Sequence, residues 1–266
     1  MSTQTELHAQ PLNVVLRPGS PAEAAYAARF QPHPDLNLVD YGGKTLARLE
    51  WTHVYLGDWS ATDREHLDAA IPAALQDARL NDVLAQYFPG ETVESVFLGA
   101  QTGPAPQPQM DKPSVERVVT SLALSSAATL LLPPGVVLAD GDVTSEQGLA
   151  GYHGSVDGHY YAVAVYSEGA NGIVAFDEPW KNVCATVYHE LEEVRTDPDV
   201  EEAIRTGEDS YLGWYSPQGG EIGDIPISES GGDLGSVMVE VELADGSGSV
   251  PVQLMWSNRD SAPASS

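Results

Sequence analysis

The sequence predicts an α+β fold, on three observations. Short β-prone runs recur along the chain, segments of helical periodicity are interspersed among them, and 25 Gly with 19 Pro in 266 residues mark frequent turns rather than a helical bundle. The 42% hydrophobic fraction is enough for a substantial core.

The elements follow in order. Residues 1–40 carry Pro11, Pro18, Pro21, Pro32 and Pro34 around the apolar run Leu12–Leu16, which predicts a Pro-rich arm with one short strand. Gly42–Trp59 is β-prone and gives a strand ending at Gly57, after which Ser60 or Thr62 caps a helix over 62–76. Leu80, Val83, Leu84 and Tyr87 repeat at helical spacing, predicting a second helix over 78–87 that Pro89-Gly90 stops. Val93–Leu98 is a predicted strand, and 102–113, with four prolines, a predicted exposed loop and a point of possible subdivision. A helix over 114–125 precedes predicted strands at 127–132, 136–138, 160–166 and 173–176. Val237–Leu243 and Val250–Trp256 form a predicted hairpin across Asp245-Gly246, and the tail is expected to fray from Ser257, with 259–266 disordered. The domain is thus 41–258.

Net charge is −27, from 39 acidic and 12 basic residues. Such a surface repels a nucleic-acid backbone and an anionic membrane, so neither is expected as a partner. The single cysteine, Cys184, lies in an apolar helical stretch and is expected to be an inert core thiol. No apolar run reaches membrane-spanning length and residues 1–20 lack a signal-peptide layout, which predicts a cytoplasmic protein.

The chemistry concentrates in one segment. Asp177-Glu178-Pro179 provides a helix start and Asp197-Pro198 a stop, so NVCATVYHELEEVRT between them is a predicted helix of about four turns. At about 100° per residue, Val183, Val187, Leu191 and Val194 share an apolar face, while His189 and Glu193 stand one turn apart on another. An imidazole and a carboxylate at i and i+4 reach one ion, and zinc accepts both ligand types. Glu190 emerges beside them, placed to act as general base on water. A helix with His, three Glu and Arg195 is also compatible with a merely solvated face. Further ligands come from the downstream Gly-flanked run GGEIGD. Glu221 is the preferred third ligand and Asp224 the acceptor for the far nitrogen of His189, with the reverse assignment open and Asp197 and Asp199 as fallback ligands. An oxyanion donor is sought among His153, Tyr152, His159, Tyr188 and Tyr215, with His153 first.

Taken together, YHELEEVRTDP, then GWY, then GGEIGD, then a final strand ending WSN resembles the EXORDIUM (phosphate-induced) protein family and its bacterial relatives. Gly42–Leu46, Tyr55–Trp59, Gln86-Tyr87 and Gly151-Tyr152-His153 look like further landmarks of that family, so the likeness runs from about Gly42 to Asn258. The resemblance implies a zincin-like fold, a mixed sheet packed against an active-site helix, with HExxE in place of HExxH. Plant members are associated with the cell wall and growth signalling. Many relatives are exported and carry paired cysteines near the GYH and EIGD blocks, where this chain has Gly151 and Ile225-Pro226.

The expected function is a zinc-dependent hydrolase of the metallopeptidase type, acting on a peptide or protein. Glu190 and His153 are its catalytic candidates, and His189, Glu193, Glu221 and Asp224 its metal ligands. An oxygen-rich ligand set also admits manganese or calcium. The rival expectations are a catalytically silent metal-binding interaction or signalling protein, and a metal-free acidic surface that recruits a cationic partner.

Overall fold

The computed structural model describes residues 15–17 and 20–266. Its centre is a five-stranded mixed sheet in the spatial order Glu94–Thr102, Arg48–Tyr55, Ala127–Leu131, His159–Ala164, Gly151–Val156. The first four strands run parallel and the last, at the edge, antiparallel. Period-two alternation sorts the side chains. Trp51, Tyr55, Leu131 and Ala162 face the larger core, while Val54, Leu130 and Val163 face a smaller one closed by Val115 and Val119 of the helix Lys112–Leu122. The structure is therefore α+β.

Local chemistry sets the helix boundaries. Ser60 caps Ala61–Gln76 by accepting from the Asp63 N–H at 3.0 Å. Asp77 caps Ala78–Ala85 through the Arg79 and Leu80 N–H groups. The helix bearing the HELEE sequence spans Pro179–Thr196, with Pro179 in its first turn. It lies between the sheet, the Ala61–Gln76 helix and the strand Ser249–Gln253. Every residue from Asn182 to Thr196 is buried, so this is a central helix and the solvated-face reading is wrong. Cys184 is a buried free thiol, as expected.

Several expectations are corrected. Residues 173–176 form no strand, because Asn182 Oδ1 takes the Ala175 and Phe176 N–H groups, each at 2.8 Å, in place of a strand partner. In the segment 102–113 residues 103–108 are irregular and largely exposed, as expected, but the ends are built in. Gly103 N–H donates to Tyr55, Gln109–Asp111 pairs with Val137–Asp140, and Asp111 caps the next helix. The tail does not fray: Ala262–Ala264 pairs with Met255–Ser257, and Ala262 and Ser265 are buried.

The arm, too, is built in. Val15–Leu16 lies parallel to Met238–Glu242, and the helix Pro21–Ala27, absent from the sequence-based expectation, seats Tyr26 with its hydroxyl on the Gly235 carbonyl. Residues 12–14 of the predicted arm strand lie outside the described residues. The edge strand Gly151–Val156 was also missed. It forms a hairpin with His159–Ala164 across Asp157-Gly158, both at positive φ, and that Asp-Gly pair was the available signal. Among the described residues no helix is long and apolar enough to cross a membrane.

Candidate metal centre

The central helix and two flanking segments bring two imidazoles and a set of carboxylates together. His189, Glu190 and Glu193 come from the helix, His153 from the edge strand, and Glu221 and Asp224 from the Gly-flanked turn before the helix Asp224–Glu229. Two groups among these have the spacing to hold a metal ion: the buried His153, Glu190 and Glu193, and the buried His189 and Glu193 with the exposed Asp224.

The hydrogen bonds fix how His189 is presented. Gln253 Nε2 donates to the Gly223 carbonyl at 2.6 Å, so its Oε1 faces His189 Nδ1 at 2.9 Å, and that ring nitrogen carries the proton. The Nε2 lone pair is thereby turned toward Glu193 Oε2 at 3.0 Å and Asp224 Oδ1 at 3.8 Å. Acceptors facing an acceptor need a cation between them, either a proton or a metal.

Gly223 holds this arrangement in place. Its N–H donates to Glu193 Oε1 at 3.1 Å, its carbonyl takes Gln253, and a Cβ there would lie 2.5 Å from His189 Nδ1. Only a glycine lets the backbone lie flat on the imidazole. Neither Gly223 nor Gln253 was singled out from the sequence. The signal available for Gln253 was one amide in an otherwise apolar terminal strand.

The two loop carboxylates take different places. Asp224, rather than Glu221, sits beside His189 Nε2, and the far nitrogen of His189 is served by Gln253 rather than by Asp224. Glu221 approaches His153 Nε2 at 3.4 Å. The fallback ligands are used elsewhere: Asp197 Oδ1 accepts the Gly213 N–H, and Asp199 accepts from Ser155.

His153 is buried, with Nδ1 between Glu190 and Glu193 and Nε2 against the Asp197 carbonyl at 3.2 Å. Both nitrogens are turned to protein atoms, so His153 is part of the carboxylate cluster. Of the other candidates, Tyr152 lies in the smaller core, Tyr188 in the larger, and His159 meets the Leu124 carbonyl. Tyr215 stays near the site, its pKa raised by burial and by the charges of Glu221, Asp224 and Asp197.

The charge state follows from crowding. Burial opposes charge on both imidazoles, yet the surrounding carboxylates hold His189 and His153 well above the ordinary histidine range. Burial alone would also raise Glu193, but the two histidines pull it far below the usual carboxylate range. Asp224, whose side chain is exposed, is pushed up to about 6 chiefly by the Glu193 charge, and burial drives Glu221 well upward. Without a metal ion the site retains protons that a divalent cation would displace.

A cleft of about 220 Å³ opens onto His189, Glu190 and Asp224, with Leu149, Ile173, Ile227 and Met238 on its walls and no Lys or Arg among its lining residues. Comparison with known protein families, with curated proteins and with solved structures finds no match.

Proposed function

We propose that the chain is a zinc-dependent hydrolase of the zincin type, acting on an apolar stretch of peptide. One observation carries this reading: the His189 Nε2 lone pair confronts the Glu193 and Asp224 carboxylates at the floor of a cleft that Glu190 also lines. The block order shared with the EXORDIUM family supports the same reading from sequence. His189, Glu193 and Asp224 are the ligands, with Glu221 one turn of loop away. A nitrogen and two carboxylate oxygens suit zinc.

A zinc ion bound there supplies Lewis acidity to a carbonyl oxygen. The chain supplies the rest. Glu190 takes a proton from the attacking water as the new C–O bond forms, and returns it to the amine nitrogen as the C–N bond breaks. Burial lifts Glu190 above the ordinary carboxylate range, which brings its proton affinity nearer to what that transfer needs. The apolar walls and the absence of cationic lining residues favour a neutral, apolar side chain beside the scissile bond and give a free C-terminal carboxylate nothing to bind.

Glu190→Gln tests the role. Cleavage of a fluorogenic peptide library should fall by about 10²–10⁴-fold while the zinc ion at the His189 position, measured by elemental analysis, is kept. Unchanged turnover would remove Glu190 from the mechanism. A second reading rests on the way Gly223 ties the loop to the helix: a silent interaction protein in which the ion only fastens these parts. Chelation that lowers the melting temperature, with no cleavage of any library member by the zinc-loaded protein, would decide for it.

A further inference from the structure

His153 poses a separate question. Both neighbours of its Nε2, the Asp197 carbonyl at 3.2 Å and Glu221 Oε1 at 3.4 Å, are acceptors, so the proton of a neutral ring sits on Nε2. Its Nδ1 lone pair then points between two further acceptors, Glu190 Oε2 at 3.5 Å and Glu193 Oε2 at 3.4 Å. Charge-assisted hydrogen bonds are shorter, at about 2.7–2.9 Å, so a proton on Nδ1 fills this gap badly. Ligand atoms arranged tetrahedrally around an ion with bonds of about 2.1 Å stand roughly 3.4 Å apart, which is the spacing found.

Two more observations point to a cation. Glu193 Oε1 is taken by the Gly223 N–H, whereas its Oε2 faces both imidazoles, 3.0 Å from His189 Nε2 and 3.4 Å from His153 Nδ1. One oxygen thus lies between two nitrogen ligands, as in centres where a carboxylate joins two ions about 3.5–4 Å apart. Glu221, 7% exposed, also brings to the His153 ring an Oε1 with no hydrogen-bond partner. Ionised together, the buried Glu190, Glu193, Asp197 and Glu221 would outweigh a single dication, and a buried excess of negative charge is costly.

We propose that His153, Glu190 and Glu193 form a second divalent-cation position that shares Glu193 Oε2 with the His189 position, with Glu221 offsetting its charge. The proposal rests on the metal-centre reading of His189 but not on hydrolysis. Since Glu190 supplies a ligand oxygen there, filling the second position withdraws that carboxylate from proton transfer.

Cobalt(II) is the probe. The metal-stripped full chain is titrated with cobalt and followed by visible absorption, elemental analysis and electron paramagnetic resonance. The expected result is two ions per chain, the second weaker, with magnetic coupling once both are bound. His153→Ala and Glu190→Ala, each checked for native circular dichroism, should lose the weaker ion and keep the tighter one. A single ion per chain in the unaltered protein overturns the second position and leaves the His189 centre standing, whereas no bound ion overturns both. Two ions retained in either folded variant, or two uncoupled ions in the unaltered chain, also overturn the proposal. The unaltered chain decides even where a variant does not fold.

Discussion

Arg195 and Glu193 leave the central helix two residues apart, both buried, into surroundings of opposite kind. Arg195 donates to Glu192 Oε2 at 2.9 Å, the Ala47 carbonyl at 2.8 Å, the Glu94 carbonyl at 3.2 Å and Ser95 Oγ at 2.6 Å. Its donors meet acceptors and its charge meets one carboxylate. Glu193 looks instead into imidazole lone pairs and other acids, with the Gly223 N–H as its one backbone donor. The first cluster balances the guanidinium with a carboxylate and backbone carbonyls and fastens the helix end to the starts of two sheet strands. The second has more carboxylates than imidazoles and no Arg or Lys among its partners, so its positive charge comes from protons on the imidazoles or from a bound cation.

The sharpest way to break this comparison is to remove the arginine. Arg195→Ala strands Glu192 and several carbonyls in the interior and should lower the unfolding free energy by about 3–5 kcal/mol in denaturant titrations, with or without zinc. A loss below about 1 kcal/mol would show that the pair is dispensable.

Next in size is the effect of zinc. At a thousandfold excess over its Kd, zinc should stabilise the protein by about 4 kcal/mol, and chelation should reverse the gain in a melting experiment. The dependence on pH sharpens this. Asp224, raised from 3.8 to about 6, and Asp197, raised from 3.8 to about 7, bind more protons in the folded than in the unfolded chain between those values. Stability of the metal-free protein from these two groups therefore falls as pH rises from about 4 to 7. Zinc binding displaces the protons and strengthens over the same window. The gap in melting temperature between zinc-loaded and chelated samples should widen from pH 5 to pH 8, and a constant gap would contradict the proposed ligand set.

Smallest is the effect of Gln253→Ala. His189 loses the acceptor that fixes its tautomer, and zinc affinity should fall about 10–100-fold in competition with a chromophoric chelator while the fold is kept. An unchanged affinity would mean that Gly223 alone orients the ring.

The helix and its contents were legible in advance because their signals are local. Proline and aspartate mark its ends, and i, i+4 spacing puts His189 beside Glu193 whatever surrounds them. The choice between Glu221 and Asp224 was not legible, since both lie in a turn whose backbone path is set by contacts with Gln253 and His189 rather than by its own residues. The carboxylate surroundings of His153 were not legible, because they come from the central helix, its C-cap and the Glu221 loop, all distant in sequence from the edge strand. The tail looked free because Ser, Ala and Pro carry little pattern, yet a three-residue pairing with Met255–Ser257 holds it. The strand expected at 173–176 failed for the opposite reason: its composition was β-prone, but a single asparagine supplied the hydrogen bonds.

The closing hairpin delivers Gln253 to the site, and just beyond it the Trp256 N–H holds the Ile222 carbonyl of the loop that carries Asp224. The final strand pair then backs this junction. The acceptor side of the imidazole and the turn that carries Asp224 therefore share one support, and a change that loosens the Met255–Ser257 pairing should disturb both together.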